Sequence, residues 1–214
     1  QSQSQSKSQK SSSTFPWMLK DPRLCITIKT WIPLLDSIPA ILFSYRNPID
    51  VAMSLHKRDK FRVLRGMKMW YVYNRNAILS TNELCRIVSS HEAILTEPLE
   101  EITRIYIQLK DKCGMNLKKG MPDKNIVNSF VDVSLNHGSG KNKKDSSFLC
   151  SSSGKDKNDP LWWKTLQPNQ SLLEHFTDSY SLDVYRECIR AYCSMENGQA
   201  FTTNFQWNND INDA

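Results

Sequence analysis

The residues best suited to chemistry lie where an apolar run meets the helix that follows it. Residues 39–45 read PAILFSY, a short continuous apolar run typical of a strand buried on both faces. Arg46 follows at once, and then come Asn47 and Pro48, which are favoured as the N-cap and first residue of a helix. An arginine placed there adds charge-assisted donors to the positive end of the helix dipole. The sequence therefore predicts a phosphate site at this junction.

Two further residues of the same helix bear on this prediction. Ser54 lies eight residues after Arg46, two turns into the helix, where its hydroxyl can face the same ligand. Asp50, at the third helical position, is expected to be an acidic capping partner. Taken alone, an arginine before a helix is more often a surface residue or an ion-pair partner, and a mid-helix serine has no special meaning. It is the spacing of the two that favours a ligand.

The elements that must position this junction form an α/β fold. The apolar triplet 17–19 predicts a short buried strand. Pro22 suits the first position of a helix that would follow it, but the β-branched residues 26–28 favour a strand in that same segment. Hydrophobic spacing then predicts a central strand over 41–45 and a second strand over 85–89. The predicted helices are 48–56, 61–79, 99–112 and 182–195.

Composition divides the chain into four parts. Residues 1–14 are a polar low-complexity tract, expected to be disordered, and 15–137 form the core. Residues 138–160, rich in Ser, Lys, Gly and Asn, are expected to be a flexible insertion. Residues 161–214 form a helical and aromatic extension that is expected to pack on the core.

Charge, motifs and hydropathy disfavour nucleic-acid binding and a membrane-spanning helix. The net charge of +6 arises largely from lysines of the 138–160 insertion, so it describes a solvated segment rather than a folded basic face. No known nucleic-acid-binding motif appears. No apolar run approaches the ~20 residues that a membrane-spanning helix needs.

The cysteine pattern indicates neither a metal site nor a disulfide framework. The six cysteines contain no C-x-x-C pair and no neighbouring His-x-x-x-His, which disfavours zinc. A chain of 214 residues is long enough to form a core without disulfides, so buried free thiols are expected. Asn169-Gln170-Ser171 is a glycosylation triplet, but such triplets arise often by chance.

Residues 45–55, YRNPIDVAMSL, resemble the 3′-phosphate-binding motif of sulfotransferases that use 3′-phosphoadenosine 5′-phosphosulfate (PAPS). In that family an arginine ends the strand and a serine follows eight residues later, which implies that Arg46 and Ser54 contact the 3′-phosphate. Residues 20–25, KDPRLC, resemble a segment of the bacterial and carbohydrate branch. The resemblance covers about 17–135 and includes Trp70, Tyr73, Asn74, Val88, Ser89 and Glu92, with His91 where the branch has tyrosine.

The resemblance implies a P-loop nucleotide-binding fold and transfer of a sulfuryl group to the hydroxyl or amine of a carbohydrate or small molecule. PAPS would be the co-substrate, and no metal is implied. The resemblance of this lead-in makes Asp21 the candidate base, with Lys20 and Arg23 as candidate charge stabilisers. Two alternatives stay open: Asp21 caps the helix that follows, and Arg23 simply pairs with Asp21.

The chain departs from the family pattern at one point. The family wraps the 5′-phosphosulfate with a glycine-containing loop, whereas this sequence has no glycine before Gly66. A cradle of backbone N–H groups needs such permissive residues. The expected explanation is an N-terminally truncated fold that lacks its first strand and loop. The alternative is a non-catalytic remnant or nucleotide-binding module, and a P-loop kinase is disfavoured because no G-x-x-x-x-G-K-[ST] occurs.

Overall fold

The computed structural model describes residues 17–117, 120–121, 123–131, 150 and 161–211. The tract 1–14 and all of the 138–160 insertion except Cys150 lie outside the described residues. Along the described chain, a small parallel sheet is flanked by helices. The elements are α1 (Leu24–Trp31), β1 (Ile41–Tyr45), α2 (Pro48–Asp59), α3 (Val63–Ser80), β2 (Arg86–Ser90), α4 (His91–Thr96), α5 (Pro98–Asp111), α6 (Lys124–Phe130) and α7 (Ser179–Glu196).

The predicted α/β class is confirmed, and most predicted elements lie within three residues of the observed ones. The strand predicted at 17–19 is wrong, because this segment is irregular and Met18 is 84% exposed. A strand needs a hydrogen-bonded neighbour, and within the described residues β1 and β2 pair with each other. The segment 26–28, which also suited a strand, is part of α1.

The two strands run parallel in register, from Ile41 opposite Arg86 to Tyr45 opposite Ser90. Phe43 and Tyr45 point inward and are buried, whereas Leu42 on the other face is 46% exposed. The prediction of a central strand buried on both faces is therefore wrong for the described structure. Successive side chains of a strand point to opposite faces. On the Leu42 face, α5 covers β2, where Ile87 and Ser89 are buried, but it leaves Leu42 of β1 half exposed.

The core lies between α3 and α7, two helices about a hundred residues apart in the sequence. Met67 and Tyr71 on α3 and Cys188 and Ile189 on α7 are completely buried. Aromatic rings extend this core to the sheet: the Tyr45 and Tyr192 ring centres are 6.2 Å apart, and further pairs join Phe43 to Phe201 and Tyr71 to Trp207. The segments before and after the insertion thus share one core.

Four of the six cysteines form disulfides, so the prediction of free thiols is wrong for them. Cys85 bonds to Cys113, and Cys150 bonds to Cys193. The first pair arises from topology, because α5 packs back along β2 and brings the second residue after its end, Cys113, to the residue directly before β2, Cys85. Sequence spacing cannot show such a return. Cys25 and Cys188 are free, and Cys188 is buried as expected.

Gly66 sets the distance between α2 and α3, and a larger residue there should destabilise the fold. A Cβ at this position would lie 2.8 Å from the Cα atom of Ala52. We expect Gly66→Ala to lower the free energy of unfolding by about 1–2 kcal/mol, because overpacking costs ~1–3 kcal/mol and improved helix propensity offsets only part of it. Urea unfolding measures the change. Gly120→Ala is the control, since nothing lies within 4 Å of the position that its Cβ would take. An equal loss of unfolding free energy in both variants would contradict the packing role of Gly66.

Candidate functional site

A pocket of about 230 Å³ opens at the carboxyl end of β1, beside the first turn of α2. Arg46, the residue directly after the strand, lines it as the sequence predicted. In open parallel sheets this edge is the usual ligand-binding position. The pocket is formed by side chains from β1, α2, α3 and the start of α4: Ser44, Tyr45, Arg46, Val51, Trp70, Asn74 and His91.

The first turn of α2 is capped as predicted. Asn47 is buried, and its Oδ1 atom accepts the N–H of Ile49 at 2.9 Å, while Pro48 has no N–H to offer. The Asn47 N–H donates to Glu92 Oε1 at 3.4 Å. Because the turn satisfies these groups internally, an anion here would be held mainly by the arginine and the helix dipole.

Arg46 is anchored at its backbone, while its side chain is loosely paired. Its carbonyl accepts the indole N–H of Trp70 at 2.8 Å. Its guanidinium, 25% exposed, lies 3.5 Å from an Asp50 carboxylate oxygen, a long separation for an ion pair. Its Nε atom is buried and has no hydrogen-bond partner among the described residues. Asp50 therefore faces Arg46 instead of capping the helix, and it would compete with an incoming anion.

Ser54 is exposed on α2 and is not part of the pocket lining. It follows Asp50 by four residues and Val51 by three, so it lies on the same helix face, one turn farther along. A ligand that fills the pocket and extends over this face would pass the Ser54 hydroxyl.

Lys20, Asp21 and Arg23 precede α1 and do not line the pocket. The Arg23 guanidinium donates to both carboxylate oxygens of Asp21, with contacts of 3.0 and 2.6 Å. The backbone N–H of Arg23 donates to the same carboxylate at 2.8 Å. These bonds lower the pKa of Asp21 to about 2, which makes it a weak base. The structure thus contains the ion pair between Arg23 and Asp21 that the sequence left as an alternative. The catalytic roles of Lys20, Asp21 and Arg23 stay predictions.

An acidic cluster lies behind the Arg46 turn. Glu92 lies beside the Asn47 N–H, and its Oε2 atom is buried without a partner among the described residues. Burial raises the pKa of Glu92, and the nearby Asp50 raises it further. Burial raises the pKa of the Tyr45 and Tyr192 hydroxyls, and the nearby carboxylate of Glu196 raises both further.

His91 and His56 differ in their position relative to the pocket. His91 lines the pocket, and burial together with the Arg46 charge lowers its pKa, which favours the neutral ring at pH 7. His56 lies near the other end of α2, where its Nδ1 is 2.7 Å from the Phe61 carbonyl oxygen. His56 is therefore structural.

Glu196 and Tyr192 lie beside Tyr45, which lines the pocket, and sequence reasoning did not relate them to it. They come from α7, and no spacing relates them to the Arg46 turn. Trp70 and Asn74 were noted through the resemblance, but their position on the pocket wall required the fold. A larger hollow of about 480 Å³ lies along α5, but its lining comes from that one helix, and its Arg104 is already bonded to Glu101.

Comparison with family models, curated proteins and solved structures finds no match to this chain. Within the described residues, none of the helices combines the length and apolar character that crossing a membrane requires. The same residues contain no group of three or more His, Cys, Asp or Glu side chains arranged to hold a metal ion.

Glu92 should make the fold less stable as the pH rises. A carboxyl whose pKa is raised on folding contributes stability at low pH that is lost as the pH rises through the folded pKa. We therefore expect Glu92→Gln to melt at a higher temperature than the wild type at pH 8, with little difference near pH 4, because an amide keeps an acceptor for Asn47 without the buried charge. Thermal melts between pH 4 and pH 8 measure this difference. The exposed Glu83→Gln variant controls for loss of one negative charge, and equal pH profiles in all three proteins would refute the effect.

Proposed function

We propose that this chain binds the 3′-phosphate of PAPS and transfers its sulfuryl group to an acceptor hydroxyl or amine. The observation that carries the proposal is the position of Arg46 at the carboxyl end of a parallel strand, beside a helix N-terminus. Its guanidinium is loosely paired, and its buried Nε has no hydrogen-bond partner among the described residues. Charge-assisted donors in this position suit a phosphate. The resemblance of residues 45–55 to the family motif supports the choice of nucleotide.

Arg46 would hold two oxygens of the 3′-phosphate, and the Ser54 hydroxyl would approach it from the next turn of α2. Trp70 and His91 would form the walls beside it. In the reaction, the acceptor oxygen or nitrogen bonds to sulfur while the bond from sulfur to the 5′-phosphate oxygen breaks. A base takes the acceptor proton, and 3′-phosphoadenosine 5′-phosphate leaves. The proposed fold is the P-loop nucleotide-binding type.

A second candidate function is nucleotide binding without catalysis. The pocket volume of about 230 Å³ favours it, since pockets that enclose a whole drug-sized ligand measure ~300–1,000 Å³. Such a volume accommodates a phosphate and part of a ribose. In addition, Asp21 is paired with Arg23 and has a low pKa, so it is poorly suited to take a proton from an acceptor.

Two measurements test the proposal and separate the candidates. Calorimetry should show that 3′-phosphoadenosine 5′-phosphate binds more tightly than adenosine 5′-phosphate, because only the former carries the 3′-phosphate. Equal affinities would contradict recognition of the 3′-phosphate, and binding of neither nucleotide would contradict both functions. Transfer of ³⁵S from labelled PAPS to a panel of sugars, phenols and amines would then show catalysis, whereas binding without transfer would favour the binding module.

A further inference from the structure

Two disulfides indicate the redox environment in which the chain folds. Cys85 and Cys113 are 28 residues apart and Cys150 and Cys193 are 43 apart, and the Cα atoms of each pair lie within 5.5 Å of each other. Disulfides form and persist in oxidising compartments and are rare where glutathione keeps thiols reduced. The pairing of four of the six cysteines therefore favours folding in a secretory lumen.

Asn169 carries the one Asn-x-Ser/Thr triplet of the 214-residue sequence, and the structure presents it to solvent. Its carbonyl accepts the N–H groups of Leu172 and Leu173 at 2.9 and 3.1 Å, so the asparagine opens a tight turn. Within the triplet, the Ser171 hydroxyl donates to Asn169 Oδ1 at 2.8 Å. Pro168 before it is buried and anchors the turn. An exposed turn is the ordinary location of an N-glycan.

The chain that follows this turn reaches the end of α2 that is farther from Arg46. The turn leads into residues 173–175, where the His175 ring centre lies 5.6 Å from that of His56 on α2. His56 is eight residues beyond Pro48, which corresponds to about 12 Å along the helix axis. A glycan on Asn169 would therefore project from the region near the far end of α2.

We infer that this chain folds in an oxidising secretory compartment and carries an N-linked glycan on Asn169. The donor would be an oligosaccharide attached to a lipid diphosphate. The Asn169 Nδ2 atom bonds to the anomeric carbon of the sugar, the bond from that carbon to the lipid diphosphate breaks, and the amide loses one proton. This inference does not depend on the proposed function.

The test is to express the chain in eukaryotic cells behind a secretory signal sequence and to measure its intact mass before and after peptide-N-glycosidase F. We expect one glycan to be removed, with conversion of Asn169 to aspartate. Asn169→Gln and Ser171→Ala should each abolish the glycan, whereas Ser171→Thr keeps the triplet and should retain it. Alkylation of the denatured, unreduced protein should label two thiols, and labelling after reduction should reach six.

The same glycosidase assay on the protein from its natural cells decides whether the modification occurs there. A deglycosylated peptide with aspartate at position 169 would support the inference, and an unmodified Asn169 in that material would overturn it. Six alkylated thiols in the unreduced secreted chain would overturn the assigned compartment. Because glycan attachment precedes complete folding, a poorly folded variant would still report on its acceptor site.

Discussion

Replacement of Arg46 by alanine should weaken the binding of 3′-phosphoadenosine 5′-phosphate by roughly ten- to a hundredfold. The guanidinium contributes a charge-assisted hydrogen bond to the 3′-phosphate, an interaction of ~1.5–3 kcal/mol. Its side chain has little to lose elsewhere, because the ion pair with Asp50 is 3.5 Å long and Nε has no partner among the described residues. Isothermal titration calorimetry of the two proteins measures the difference directly.

Three variants of the same helix serve as comparisons for the Arg46→Ala result. Ser54→Ala should cost less, because a neutral hydrogen bond contributes only ~0.5–1.5 kcal/mol. Asp50→Asn should strengthen binding, since it removes the carboxylate that competes for Arg46. Arg58→Ala removes an exposed arginine paired with Asp59 and should change nothing at the site.

Adenosine 5′-phosphate provides the ligand control. It lacks the 3′-phosphate, so its affinity should be nearly the same in the wild type and in Arg46→Ala. If Arg46→Ala weakened both nucleotides equally, or neither, the assignment of Arg46 to the 3′-phosphate would be wrong. An unchanged melting temperature in Arg46→Ala would show that any loss of affinity is not a loss of fold.

Removal of either disulfide should lower the free energy of unfolding by about 3–4 kcal/mol. A covalent link restricts the unfolded chain, and loops of 28 and 43 residues give values of this size in the chain-entropy treatment. That is a large share of the ~5–15 kcal/mol that stabilises a typical domain. Urea unfolding of Cys85→Ser/Cys113→Ser and of Cys150→Ser/Cys193→Ser measures the two losses separately.

Cys25→Ser is the matched control for these double variants. Cys25 is a free thiol that is only partly buried, so its substitution should change stability by less than about 1 kcal/mol. Dithiothreitol should destabilise the wild type more than either double variant, because it breaks both links. Stability that is insensitive to reductant would contradict the pairing.

The Arg46 junction could be predicted from sequence because its signals are local. The apolar run of β1, the Asn47 cap and Pro48 are consecutive, and each restricts its own stretch of backbone. The same applies to α5, whose apolar residues recur at helical spacing. For these elements, the observed bounds differ from the predicted ones by a few residues.

Local sequence patterns could not predict the contacts between residues that are far apart in the chain. An apolar run does not reveal how many faces of a strand are covered, and the exposure of Leu42 follows from which helices pack on the sheet. In the same way, six cysteines allow fifteen pairings, and their spacing does not choose among them.

The sequence by itself therefore determined the strand, turn and helix that place Arg46 beside a helix N-terminus. It could do so because neighbouring residues restrict one another directly. Only the tertiary structure decided what surrounds that arginine. It brought Trp70, His91 and Glu92 to the turn and placed Glu196 of α7 against Tyr45. Such contacts join residues far apart in the chain, and burial of apolar surface selects them through the packing of the whole core.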